Sequence, residues 1–251
     1  RAIGTGKALQ SARLYPSDSG EVIKVNFKAR QTVKTGQVLL RLDDEDQQLA
    51  VRLASIDADE AARQALRLEK LKTGVVARAR LETALSVLES ARVRLAQANA
   101  TLKDRTVIAP FTGVVGLSDV HKGDRVTPDS LIATLDNRSE LLVEFAVSED
   151  VAARLRPGLS VNLTAWALPD RVFKGMIAVM GSRIDPATRT LIIRASLPNP
   201  EEALRPGTSF VVAIDIEGKR LPSIREVAVL WSRDGAYVWR VENGKAKKVF
   251  V

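Results

Sequence analysis

Asp43 and Asp136 are the carboxylates whose placement most invites a chemical reading, because each closes an apolar run of the same kind. Two carboxylates can divide general acid and base duty only across one cleft, with at least one pKa displaced. These two fall at equivalent strand ends rather than in one cleft, so they make no catalytic pair. Cysteine is absent and His121 is the sole histidine, which excludes disulfides, Cys-containing zinc sites and His-rich metal sites. Met176 and Met180 invite a soft-metal reading, but an even separation on a strand sets both on one face, where packing is the simpler role. No G-x-S-x-G, P-loop or dinucleotide fingerprint is present. The expectation is a protein that is not an enzyme and holds no cofactor and no metal.

The composition narrows the classes further. The chain of 251 residues carries a formal charge of +8. Its basic residues are scattered among acidic ones, without a Lys/Arg block or the aromatic interleaving of a single-strand binder, so nucleic acid is not an expected partner. No run reaches the ~18 apolar residues of a membrane helix. The first residue is Arg1, with no signal-like segment after it, and the expectation is a processed or trimmed product.

An internal repeat organises the rest. Gly20 to Asp43 aligns without gaps on Gly113 to Asp136 at a constant offset of 93. Gly20, Val22, Val33, Leu42 and Asp43 recur as Gly113, Val115, Val126, Leu135 and Asp136, while Val38 and Leu39 meet Leu131 and Ile132. Each copy reads as short strands broken by turns at Lys34-Thr35-Gly36 and Lys122-Gly123-Asp124. Neither copy is large enough to bury a face alone. Together they predict a flattened β-sandwich, which requires the ends Asp43 and Thr106 to lie close together.

Between those ends the period changes from two to seven. Asp44, Glu45 and Asp46 favour a helix start. Val51, Ala54, Ala58, Ala61, Ala65 and Leu68 then follow the a/d spacing of a coiled coil. A second helix repeats Leu81, Leu88, Leu95 and Leu102, with Ala84, Ala91 and Ala98 between them. Leucines opposite alanines allow close antiparallel packing, and about 28 residues per helix give a hairpin roughly 40 Å long. Leu49, Leu53 and Ile56 fall on a flanking face, which leaves two readings open: a local packing partner, or lateral contact with another hairpin. At the tip, Val75 and Val76 stand where solvation favours polar residues. Arg78 and Arg80 occupy the end of a helix dipole that disfavours cations. The tip is therefore a candidate docking site for a partner with apolar grooves and acidic edges.

Beyond Asp136 the pattern is β. Leu141 to Val147, Val161 to Ala165, Val172 to Met180, Thr190 to Leu197 and Phe210 to Ile216 read as strands of a small antiparallel barrel of five or six strands. Val227 to Leu230, Tyr237 to Val241 and Lys247 to Val251 read as part of a last β unit. The predicted fold is α+β, modular and elongated. Its divisions are a sandwich from 15–43 and 105–137, a hairpin from 44–104, a barrel from 1–14 and 138–220, and a partial β-domain from 221–251. The N-terminal strand would be shared between the barrel and the last unit.

Several short motifs carry a family likeness. They are Gly20-Glu-Val and Thr35-Gly-Gln-Val-Leu in the first half, and Val107-Ile-Ala-Pro-Phe-Thr-Gly-Val-Val-Gly and Lys122-Gly-Asp-Arg-Val in the second. Asp185-Pro-x-Thr-Arg-Thr and Arg205-Pro-Gly follow in the barrel. In this order they resemble the periplasmic adaptors, or hemolysin-D-like membrane fusion proteins, of RND-type tripartite efflux pumps. The resemblance implies a lipoyl-like sandwich with the hairpin inserted at its tip, and a partial membrane-proximal domain at the end. It implies a periplasmic location, with an N-terminal lipid or helical anchor at the inner membrane. It also implies six adaptors bridging an inner-membrane RND transporter to a TolC-like outer-membrane channel, for export of drugs or small molecules. Carrier domains hold a modified Lys in the turn joining their halves; here the hairpin replaces that turn, in keeping with the absence of a cofactor.

Many such adaptors place Arg, then Leu four residues on, then Ser seven beyond that, at the channel contact. Arg67 and Leu71 match the first two positions. At the third, Arg78 stands at the strict spacing and Ala77 one residue earlier, so neither is the serine. With the loop between them, the expected contact set is Arg67, Leu71, Gly74, Val75, Val76, Ala77 and Arg78. The alternatives are an adaptor of an ABC-type efflux or type I secretion system, and a biotinyl- or lipoyl-type carrier. The exported substrate is not written in the sequence.

Overall fold

A computed structural model describes residues 1–70, 75–215 and 223–251, with the side chains of 75–77 outside the description. The chain divides into two units, 1–214 and 215–251. In the first, strand β1 (Ala2–Leu14) is followed by β2 (Gly20–Val25), β3 (Thr32–Val33) and β4 (Val38–Leu42). Helices α1 (Glu45–Lys70) and α2 (Val75–Lys103) intervene before β5 (Thr106–Ile108), β6 (Gly113–Val115) and β7 (Arg125–Val126).

The two copies of the repeat close on each other by exchanging hydrogen bonds. Val22 N–H donates to Asp124 O and Gly123 N–H to Val22 O, both at 2.8 Å. At the positions shifted by 93, Val115 N–H donates to Gln31 O at 3.0 Å and Arg30 N–H to Val115 O at 2.8 Å. The strand pairs obey the same exchange: Gly20 faces Val126 across β2 and β7, and Gly113 faces Val33 across β6 and β3. The turns match too, since Lys28 N–H donates to the Gln31 side chain and His121 N–H to the Asp124 side chain. The core is built from equivalent pairs: Val22 with Val115, Val33 with Val126, Leu39 with Ile132, and Leu42 with Leu135. Neither half could bury these residues without the other, which is why the repeat folds as one body.

Two glycines are fixed by this arrangement. A Cβ at Gly113 would stand 2.7 Å from the Asp136 carbonyl oxygen, so only glycine lets β6 approach. Gly123 has φ +94° with open space around it, a purely conformational demand. Its counterpart is Arg30, at φ 66°, so the first copy holds an arginine in the same left-handed turn.

The required closeness of the two ends is met by a ladder. Arg41 faces Thr106 across β4 and β5, and Leu42 N–H donates to Arg105 O at 2.8 Å. The hairpin thus leaves and re-enters the sandwich through neighbouring strands. Its seam is the one the heptads predict: Ala58, Ala61 and Ala65 of α1 are buried against Ala84, Leu88 and Ala91 of α2.

The remaining strands are β8 (Ala133–Ser148), β9 (Ser160–Ala165), β10 (Val172–Asp185), β11 (Thr190–Pro198) and β12 (Ser209–Ala213), with a short helix α3 (Glu149–Ala152). The order β1-β12-β9-β10-β11-β8 closes through β1–β8 into a six-stranded antiparallel barrel. Phe145, Leu163, Ile177, Ile193 and Phe210 fill it. Two strand readings change. The polar stretch Asn137-Arg138-Ser139-Glu140 looks like a break, yet β8 runs through it, held by β1 (Gln10 opposite Asn137) and β11 (Pro198 opposite Glu140). A bulge at Ala178 turns β10, so Met176 faces Ser196 outside while Met180 opposes the buried Ile193. The two methionines therefore lie on opposite faces, not one, and the even-spacing argument fails because the bulge adds a residue.

The second unit is a three-stranded antiparallel sheet of β13 (Leu230–Ser232), β14 (Gly235–Glu242) and β15 (Lys245–Phe250). Val227 and Ala228, expected in a strand running to Leu230, belong instead to a 3-10 turn (Glu226–Ala228), and the strand begins only at Leu230. The barrel's last strand, expected to run to Ile216, ends at Ala213, with Ile214 and Asp215 outside any strand; Ile216 and Leu221 lie outside the described residues.

Candidate docking site on the hairpin

Toward the hairpin tip, exposed side chains meet a helix pair whose buried residues, among those described, lie in its own seam. Of the seven residues expected to form the contact, Arg67 and Arg78 are described with their side chains. Both are exposed, Arg67 in the last turn of α1 and Arg78 in the first turn of α2. Arg67 Nη2 donates to Gln64 Oε1 at 2.7 Å, a contact within its own helix that steadies the guanidinium. Leu71 and Gly74 lie outside the described residues, and Val75, Val76 and Ala77 are described only as the backbone that opens α2.

The electrostatics at this end are uncompensated. The first turn of α2 holds no acidic residue, so Arg78 and the neighbouring Arg80 face the positive end of the helix dipole. A cation placed there costs the isolated helix a few tenths of a kcal/mol, and an acidic partner would reverse the sign.

One feature of this end escapes the sequence reading. Between the helices, toward the tip, runs a groove of about 560 Å³ floored by Ala61 and Ala84 and flanked by Leu68 and Val87. Gln64, Arg80 and Thr83 add polar groups to its rim. The signal was the seam itself: alanine facing alanine leaves space that leucine facing alanine fills. Farther down, Leu49, Leu53 and Ile56 are 59%, 63% and 54% exposed. No local packing partner covers them among the described residues.

Nothing described elsewhere competes as a reaction centre. Asp136 accepts a 2.7 Å hydrogen bond from Ser11 Oγ, a strand-to-strand tie. His121 is largely exposed, 3.9 Å from Asp124. Among the described residues no group of His, Asp and Glu is arranged to hold a metal ion. Glu144 on β8 is held below the ordinary carboxylate range by hydrogen bonds from Lys7 and then Arg194. It bridges β1 to β11 at 2.7 and 2.8 Å, a clamp across the barrel wall.

Two family models match the chain. The barrel-sandwich hybrid domain of RND membrane fusion proteins covers residues 10–134, and the CusB-like beta-barrel domain covers 141–218. The multidrug resistance protein MdtA of Pectobacterium atrosepticum is 26% identical over 265 residues, 96% of this chain and 64% of that protein. The efflux pump periplasmic linker BepF of Brucella suis is 29% identical over 276 residues, 98% of this chain and 66% of that protein. The chain thus spans less than two thirds of the length of these curated relatives. Among solved structures, a MacA–MexA chimera carrying the Pseudomonas aeruginosa MexA α-hairpin superposes with a TM-score of 0.74 at 19% identity, over 86% of this chain and 80% of that one. A putative efflux transporter from Bacteroides eggerthii gives 0.67 at 21% identity, over 100% and 81%. With sandwich, inserted hairpin and barrel matched in order, the chain belongs to the membrane fusion protein family of RND-type tripartite efflux pumps.

Proposed function

We propose that this protein is the periplasmic adaptor of an RND-type efflux pump, joining an inner-membrane transporter to a TolC-like outer-membrane channel for export of drugs or other small molecules. The observation that carries the reading is the hydrogen bond from Leu42 N–H to Arg105 O, because it joins the two ends of the hairpin on neighbouring strands and leaves the helices between them paired with each other. A coiled-coil rod on such a base can span a gap that a globular domain cannot. The tip, with Arg67, Leu71, Gly74, Val75, Val76, Ala77 and Arg78, meets the channel. The exposed Leu49, Leu53 and Ile56 meet the hairpin of a neighbouring copy, in a ring of six. The protein acts by binding and not by catalysis, and an N-terminal anchor holds it at the inner membrane.

The test is purification of the tagged full-length protein from detergent-solubilised membranes of its own host. An RND transporter in the eluate supports the proposal. An ABC transporter in its place moves the protein to the alternative class, and an added biotinyl or lipoyl mass on a lysine makes it a carrier.

A further inference from the structure

Where the hairpin leaves the sandwich, β2, β4 and β5 and the adjoining ends of α1 and α2 line an open cleft of about 700 Å³. Three cations line it: Lys24, Arg41 and Lys103. Its single carboxylate, Asp44, is only 5% exposed and already engaged. Arg41 donates to Asp44 Oδ2 from Nε at 2.8 Å and from Nη2 at 2.7 Å, and Gln48 Nε2 donates to Oδ1 at 2.8 Å. That leaves the two ammonium groups, which have no carboxylate within 4.0 Å among the described residues.

Lys103 has a structural reason to be where it is, since the last turn of a helix favours a cation. Lys24 has none. It stands directly opposite Arg41 in the β2–β4 ladder, and like charges in that relation destabilise a strand pair. Val38 and Leu102 put apolar surface in the same cleft. A cation pair beside hydrocarbon is complementary to a molecule with an anionic head and an apolar body.

We propose that this cleft binds an anionic amphiphile, its carboxylate or phosphate held by Lys24 and Lys103 and its hydrocarbon laid against Val38 and Leu102. The site goes beyond the adaptor reading and does not depend on it, because it asks only for the purified chain. The same head-and-tail chemistry comes from two sources, a free solute or an anionic lipid.

The experiment is titration calorimetry of the full chain with decanoate and decyl phosphate, together with flotation on phosphatidylglycerol vesicles. The comparison is K24Q/K103Q, whose unchanged melting temperature certifies the fold. Monomer binding weakened about tenfold or more in the variant supports the site and a free ligand. Flotation lost in the variant, without monomer binding, supports the site and assigns the lipid. Affinity that the variant leaves unchanged, equal binding of uncharged decyl maltoside, or no binding of any probe overturns it.

Discussion

Leu88 is the residue on which the hairpin's independence can be read. It is 9% exposed, packed among Ala58, Ala61 and Ala65 of α1 and Ala84 and Ala91 of its own helix. Truncating a buried leucine to alanine removes about 2–5 kcal/mol from a thick core. The hairpin has only one layer of seam, so water reaches the vacated space and the lower end applies, about 2 kcal/mol. Because the buried apolar residues of α1 and α2, among those described, pack against each other along the rod, this loss stays local. Leu88→Ala should therefore speed hydrogen exchange of hairpin amides by about thirtyfold, while amides of β2 and β8 keep their protection. Leu85→Ala is the control: at 49% exposure it lies off the seam, and should change exchange less than about threefold. Equal loss of protection in the sandwich would refute the idea of a self-supporting rod. So would a Leu85 variant as damaging as the Leu88 one.

Two further outcomes follow from named contacts. Gly123→Arg copies into the second half the residue that the first half carries, and should cost about 1 kcal/mol in urea denaturation; Arg30→Gly should leave stability equal or slightly higher. Glu144→Gln should lower stability by about 1 kcal/mol near neutral pH. Glu144 has a folded pKa below its ordinary 4.5, so its contribution is complete above that value and vanishes as pH falls through the lowered one. Wild type and variant should then converge in acid, as urea melts between pH 7 and pH 2 would show.

Much of this architecture is legible in the sequence because symmetry and period leave long-range marks. The offset of 93 between Val22 and Val115 is a statement about partners, and the exchanged bonds to Asp124 and Gln31 are its physical content. The heptad leucines of α2 likewise name the seam. What escapes is whatever depends on a neighbour with no sequence signature. Asn137 to Glu140 falls outside the expected strand because its side chains are polar, but β1 pairs with its first residue and β11 with its last, and the strand runs through. The bulge at Ala178 reassigns Met180 through one unpaired residue that composition does not announce. The cleft holding Lys24, Arg41 and Lys103 joins residues nearly eighty positions apart, brought together only when the hairpin closes. For the tip, the family resemblance suggests Arg67 and the helix dipole draws notice to Arg78, while the groove below them is marked only by alanines in both seams, Ala61 and Ala84 among them.

The hairpin's far end is the part proposed to touch another protein. A photo-crosslinking amino acid at Arg78 of the full-length protein, irradiated in growing cells, tests this directly. An adduct containing the outer-membrane channel at Arg78 and at Arg67, and none from the exposed barrel position Ile192, is the predicted result. Capture of the channel from Ile192 with none from the two arginines, in cells whose export is intact, would contradict it.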